Sequence, residues 1–339
     1  MKQIYKTSEI LIICSAIALA PLAPVLAVPV EKSLNQNKIS SNTNELLEQY
    51  ASSGFNRLKK GDYRGAIEDF NKAIEIDPNN SDNFNNRGIA RSELGDHQGA
   101  IEDYTRAIAL DPNDAAAYSN RGNSKSKLRD YQGAISDYSK AIEIAPKYAL
   151  AYYSRATLHN KKGNYQKAIE DYSQAIAINP NYGVAYFNRG NTYHRLRKYP
   201  EAIKDYTEAI RHKPESADIY NNRGYTLVLV GQHEKAIEDF ERALAINPRY
   251  ARVFTNRGIA RNRLGNSQGA IEDFSKAIEF NPQDAPAYFN RGIILVQLGK
   301  SSEGLADIQQ AAKLAQQQGN NALYTEAKKQ IARITNNGN

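Results

Sequence analysis

Prolines recur at Pro78, Pro112, Pro146, Pro180, Pro214, Pro248 and Pro282, each 34 residues after the last. No other feature restricts the fold as strongly, because a fixed period of this size means one supersecondary unit, repeated and stacked. Segment 217–250 shows the plan of the unit. With Ala217 as position 1, Tyr220, Gly224, Leu227 and Val230 fall at helical spacing. Gly231 is predicted to break that helix, since glycine allows the positive φ of a tight turn. Ala236, Ile237, Phe240, Ala243, Leu244 and Ile246 make a second stripe. Pro248 ends it, because proline lacks an amide donor and disfavours helical geometry in the residue before it. Each unit is therefore expected to be helix, turn, helix, stop. One such pair has too little core to stand alone, so stacking must complete it.

Small residues recur where the two helices must approach closely. Position 8 is Gly54, Gly88, Gly122, Ala156, Gly190, Gly224, Gly258 and Gly292, and position 20 runs from Ala66 to Gly304 with alanine in the seven units before the last. Position 27 is alanine in all eight units, Ala73 to Ala311. A larger side chain there would overpack the contact, at a cost of about 1–3 kcal/mol.

On these residues the unit resembles the tetratricopeptide repeat. That pattern has an aromatic at position 4, Leu-Gly at 7 and 8, Tyr at 11, Ala at 20, an aromatic at 24, Ala at 27 and Pro at 32. The resemblance covers 47–318, in units 47–80, 81–114, 115–148, 149–182, 183–216, 217–250, 251–284 and a degenerate 285–318. It departs from the pattern where Arg replaces Leu at position 7 in seven units, and where position 11 is basic (Arg91, Lys125, Arg261). The resemblance implies an all-α fold, a right-handed α-solenoid or superhelix of eight helix-turn-helix units. Leu323, Ala327, Ile331 and Ile334 predict one more amphipathic helix over 321–334, a capping helix within 319–339, followed by a frayed tail from Thr335.

Before the array, 1–27 reads as an export signal: Lys2 and Lys6, an apolar run from Ile10 to Ala20, and Val25-Leu26-Ala27 for a leader peptidase. The alternative is an uncleaved anchor, which Pro21 and Pro24 disfavour. Residues 28–46, rich in Asn, Ser, Gln and Lys, read as a flexible linker. The expected location is the periplasm, the envelope or the exterior, with no transmembrane span in the mature chain. Cys14 is the only cysteine and falls in the leader, so no disulfide is expected.

The formal charge is +7, from 44 Lys and Arg against 37 Asp and Glu, and the basic residues are spread over many units. That distribution favours acidic partners and does not predict nucleic-acid binding. Catalytic motifs, metal-spaced histidines and phosphate loops are not found, so the chain reads as non-catalytic and cofactor-free. The family resemblance implies a protein or peptide ligand in a concave groove lined by the first helices. Carried over by position, the groove comprises Asn123, Lys127, Tyr153, Asn160, Lys161, Phe187, Asn191, His194, Arg195, Asn222 and Arg252. Lys127, Lys161 and Arg195 share position 13 in three consecutive units, which suggests a basic floor for an acidic segment. Three of these residues, Asn191, Asn222 and Arg252, also match places of the carboxylate clamp of co-chaperones, while Phe187 and Asn256 do not. Self-association, or an assembly role through convex or edge surfaces, stays open as the alternative.

A second row reads as structure. Arg87, Arg121, Arg155, Arg189, Arg223, Arg257 and Arg291 stand at position 7. Asp69, Asp103, Asp137, Asp171, Asp205, Asp239, Asp273 and Asp307 stand at position 23. A partly buried arginine needs a carboxylate, so the two rows are expected to pair as a ladder, within a unit or between units.

Overall fold

The computed structural model describes residues 41–337, and these form seventeen helices, α1 to α17. The proposed export signal and residues 28–40 lie outside the described residues. The chain divides into two compact parts, with the boundary between Ala185 and Tyr186. In the first part, α1 (Ser41–Lys59) pairs with α2 (Tyr63–Ile76), α3 (Ser81–Glu93) with α4 (His97–Leu110), α5 (Ala115–Lys127) with α6 (Tyr131–Ile144), and α7 (Ala149–Lys161) with α8 (Tyr165–Ile178). The second part holds most of α9 (Gly183–Arg195), then α10 (Tyr199–His212), α11 (Ala217–Leu229) and α12 (His233–Ile246). It continues through α13 (Ala251–Arg263), α14 (Ser267–Phe280), α15 (Ala285–Gln297), α16 (Ser301–Gln317) and α17 (Asn321–Asn337).

Local chemistry sets the ends of these helices. Asn247, before Pro248, has φ −129° and ψ 91°, the extended geometry that proline imposes on its predecessor. The turn between paired helices needs a left-handed residue, and Gly61, Gly95, Gly163, Gly231, Gly265 and Gly299 supply it with φ of 79–84°. Two units lack the glycine, so Arg129 and Arg197 take φ of 66° and 59° instead. The last unit lacks the proline, and α16 runs a further turn until Gly319, at φ 68°, stops it.

The core is the set of small-to-aromatic contacts inside each pair. A Cβ on Gly88 would lie 2.7 Å from the Tyr104 ring, and one on Gly224 would lie 2.8 Å from Phe240. The alanines at positions 20 and 27 are fully buried, as are Phe70, Tyr104, Tyr172, Tyr206, Phe240 and Phe274. In the last unit Ile308 replaces the aromatic and the helices close further. There a Cβ on Gly304 would sit 2.5 Å from the Gly292 carbonyl oxygen.

Three expectations are corrected. The linker was predicted to reach residue 46, but α1 begins at Ser41. Leu47 is buried within it, and Glu45, Leu46 and Glu48 are good helix formers that extend it upstream. The tail from Thr335 is helical as far as Asn337, where the Thr335 hydroxyl donates to the Ile331 carbonyl, 3.0 Å away. Val230 and Ile246, placed on the apolar stripes, are exposed because they end their helices beside the turn and the proline.

Candidate functional site

The first helices of successive units touch one another, α1 with α3 and α3 with α5 in the first part, α11 with α13 and α13 with α15 in the second. That places them on the inner side of each part, and the expected groove residues lie on them or beside them. They divide by burial. Lys127, Lys161 and Arg195 are exposed, Asn123, Asn160 and Arg252 are half-buried, and Tyr153, Phe187, Asn191, His194 and Asn222 are buried. Lys161 is held in place, since its Nζ donates to the Tyr131 hydroxyl at 2.6 Å and lies 4.3 Å over that ring. Lys127 has no carboxylate within ion-pairing distance among the described residues.

The buried members are occupied by neighbours and present little surface, although Tyr153 also borders a cleft. Tyr153 packs between Tyr172 and Tyr182, with centroids 5.9 and 5.1 Å away, and Phe187 packs on Tyr206. Asn191 Oδ1 accepts from Tyr206 OH at 2.8 Å and from Asn222 Nδ2 at 2.9 Å. Two of the three places that match the carboxylate clamp are thus bonded to each other. Asparagines also link successive first helices: Asn120 donates to Asn85 at 3.1 Å and Asn256 to Asn221 at 3.0 Å. A buried amide needs such a partner, which explains why asparagine recurs at position 6.

His194 Nδ1 lies 2.8 Å from Thr226 Oγ1, and the Thr226 hydroxyl itself donates to the Asn222 carbonyl. The imidazole therefore donates from Nδ1. It packs against Tyr199 and Tyr225, and burial, aided by Arg195, lowers its pKa to about 4.

The Arg and Asp rows pair inside each unit. Arg223 grips Asp239 with two bonds, Nε to Oδ2 at 2.8 Å and Nη2 to Oδ1 at 2.7 Å. Arg87, Arg121, Arg155, Arg189, Arg257 and Arg291 do the same with Asp103, Asp137, Asp171, Asp205, Asp273 and Asp307. The arginine also reaches back one unit with Nη1. Arg87 meets Asn71, Arg121 meets Thr105, Arg155 meets Ser139, Arg223 meets Thr207 and Arg291 meets Ser275. One side chain thereby closes its own helix pair and fastens it to the previous one. Burial pushes Asp103, Asp205 and Asp239 up from the ordinary carboxylate range, against the pull of their arginines.

Sequence reasoning missed the role of position 11. In the first unit Ser53 replaces the arginine and donates to Asp69 at 2.7 Å, and Arg57, at position 11, approaches the same carboxylate at 3.3 Å. Arg91, Lys125 and Arg261 likewise add a second cation to Asp103, Asp137 and Asp273 at 3.0, 2.8 and 3.0 Å. These four units also carry Asp62, Asp96, Asp130 or Asn266, whose side chains cap the second helix at Gly65, Gly99, Gly133 and Gly269. Arg57, Arg91 and Arg261 bond the carbonyls of three of those glycines. The units without that glycine have His159, Tyr193, Leu227 or Leu295 at position 11. Alignment of the repeats with each other carried this signal.

One cleft opens among α3, α5 and α7, with a volume of about 350 Å³. Ser92, Glu93, His97, Asn123, Lys127 and Lys161 form its polar wall, and Tyr138, Tyr153 and Leu158 its apolar side. Among the described residues no group of three or more His, Cys, Asp and Glu is placed to hold a metal, and no helix is long and apolar enough to cross a membrane.

Profiles described as TPR repeat match 57–95, 90–128, 158–196 and 260–299, and profiles described as tetratricopeptide repeat match 115–148, 138–170, 183–216, 217–250 and 285–318. The chain belongs to the tetratricopeptide repeat family, whose members are protein–protein interaction scaffolds and typically non-catalytic. Among solved structures it is similar to YrrB, described as a TPR protein with an unusual peptide-binding site, at 24% identity and TM-score 0.52 over 55% of this chain and 96% of that one. The C-terminal part of a TPR repeat-containing protein of Cytophaga hutchinsonii aligns at 17% identity and TM-score 0.59 over 70% and 97%. PilF of Pseudomonas aeruginosa aligns at 17% identity and TM-score 0.57 over 63% and 97%. At these identities the likeness is one of fold. No curated protein sequence matches the chain.

Proposed function

We propose that this chain is a non-catalytic scaffold that holds a segment of another protein, acidic in character, against its first helices. The observation that carries this reading is the charge left over on that face. The ladder arginines are spent on aspartates, whereas Lys127, Lys161 and Arg195 stand exposed at one repeat position, with no carboxylate paired to them among the described residues. Lys127 and Lys161, without carboxylate partners beside a cleft with one apolar side, suit a peptide with carboxylates and an apolar anchor. The leader-like sequence of 1–27 supports placing this scaffold outside the cytoplasm, in the periplasm, in the envelope or beyond the cell.

The test is capture from envelope and whole-cell extracts by the chain and by its Lys127→Glu, Lys161→Glu, Arg195→Glu variant, each checked for helicity by circular dichroism. A protein held by the first and lost by the second, with equal helicity, supports the reading. The same proteins held by both would refer binding to another surface.

A further inference from the structure

We propose that the cleft among α3, α5 and α7 is a carboxylate pocket, in which Lys127, His97 and the Asn123 amide receive one aspartate or glutamate side chain of the bound segment. This rests on the groove-binding reading and gives it a specificity site. Lys127 ends α5 and His97 begins α4, and both line the cleft. The Asn123 amide is fixed from below, since its Oδ1 accepts from the Tyr138 hydroxyl at 2.7 Å. Its Nδ2 is shielded from solvent and has no partner among the described residues. An orphan N–H donor at the wall of a cleft is costly unless something fills the site, and an anion would satisfy it. Tyr153 and Leu158, both almost wholly buried, back the apolar side of the cleft. The volume lies at the low end for ligand clefts, which suits one or two side chains better than a cofactor.

The groups facing His97 make the pocket proton-linked. Ser92 Oγ of α3 is 3.4 Å from its Nδ1, Lys127 approaches from α5, and the carboxylates near it are Asp96, next to it in the chain, and Glu93, which lines the same cleft. Burial, then Lys127, pushes the imidazole toward its neutral form, and Asp96 and Glu93 oppose this only in part. A carboxylate arriving between Lys127 and His97 offsets the lysine and draws a proton onto the ring. Capture then takes up a proton and strengthens as the pH falls through the range where His97 titrates.

The probe is N-acetylglutamate at tens of millimolar, with N-acetylglutamine and sodium chloride at equal ionic strength as controls. The readout is the imidazole resonances of the full chain followed through a pH titration. The expected result is a rise of about half a unit or more in the His97 midpoint with N-acetylglutamate only. The exposed His212 should stay fixed, and the shift should be lost in Lys127→Gln and in Asn123→Ala. An unmoved His97, an equal shift with chloride, or an undiminished shift in Lys127→Gln would overturn the pocket. None of those results bears on the three-charge capture experiment, so failure of the pocket and failure of the groove reading are told apart.

Discussion

At the scale of single residues, the ladder shows how a neighbour decides the cost of a lost bond. Asp239 has one cationic partner, Arg223, because position 11 of that unit is Leu227. Asp137 has two, Arg121 and Lys125. Arg223→Ala leaves a buried carboxylate without a counter-charge, and about 3–5 kcal/mol of stability should be lost. Arg121→Ala leaves Lys125 in place, and the loss should be nearer 1–2 kcal/mol. Urea unfolding of both variants checks the order, and equal losses would mean that position 11 carries no load. His194 gives a second prediction. Its folded pKa of about 4 lies below the ordinary 6.5, so the neutral ring favours the fold. The stabilisation is complete above pH 6.5 and drains away as the pH falls toward 4, by at most about 3 kcal/mol. His194→Gln should melt lower at pH 7.5 yet lose less between pH 7 and pH 4.5 than the parent chain.

At the scale of elements, the period in the sequence was enough to place the helices, because proline and glycine act on the backbone locally. Pro248 and Gly231 do in the structure what their chemistry demands. The same logic makes Arg129 and Arg197 anomalies, since a side chain at positive φ costs about 1 kcal/mol that glycine avoids. Arg129→Gly and Arg197→Gly should each raise stability by roughly that amount, offset in part by the greater entropy of the unfolded chain, and thermal melts will show it. Gly304→Ala should do the reverse, because its Cβ would meet backbone at Gly292, an atom that cannot rotate away. The candidate site was less legible. Position within a repeat placed Asn191, Asn222, Tyr153 and Phe187 on the inner helices, but a helix face is shared between the groove and the seam with the next unit. Side-chain length and the neighbour's residue decide which of the two a side chain meets. Lys127 extends past the seam, whereas Asn222 is short enough to bond Asn191 within it. The coupling of positions 11, 16 and 19 was present in the sequence, and it appears only when the repeats are compared with one another.

At the scale of the molecule, successive helix pairs within each part contact one another, so stability there is a sum of unit and interface terms and an uncovered unit is the weak point. Helix α17 serves this need for α16. Leu323 and Ala327 are buried in a cluster with Phe289, Ile308, Ala311 and Leu314, and Tyr324, Ile331 and Ile334 pack against its edge. That unit is also the one with neither the proline nor the aromatic at position 24, and its helices are held together by the close approach of Gly292 and Gly304. Ending the chain after Gly319 would expose this cluster at a cost of about 3–6 kcal/mol, on the burial of two to three large apolar side chains. Unfolding should then begin at α15 and α16, and hydrogen exchange should show those helices losing protection while α1 to α8 keep theirs. If protection fell evenly through all the helices, cooperativity would span the whole array and the nearest-neighbour account would fail. If protection of α16 were unchanged, the Gly292 and Gly304 contact alone would suffice to hold the unit, and α17 would be dispensable to it.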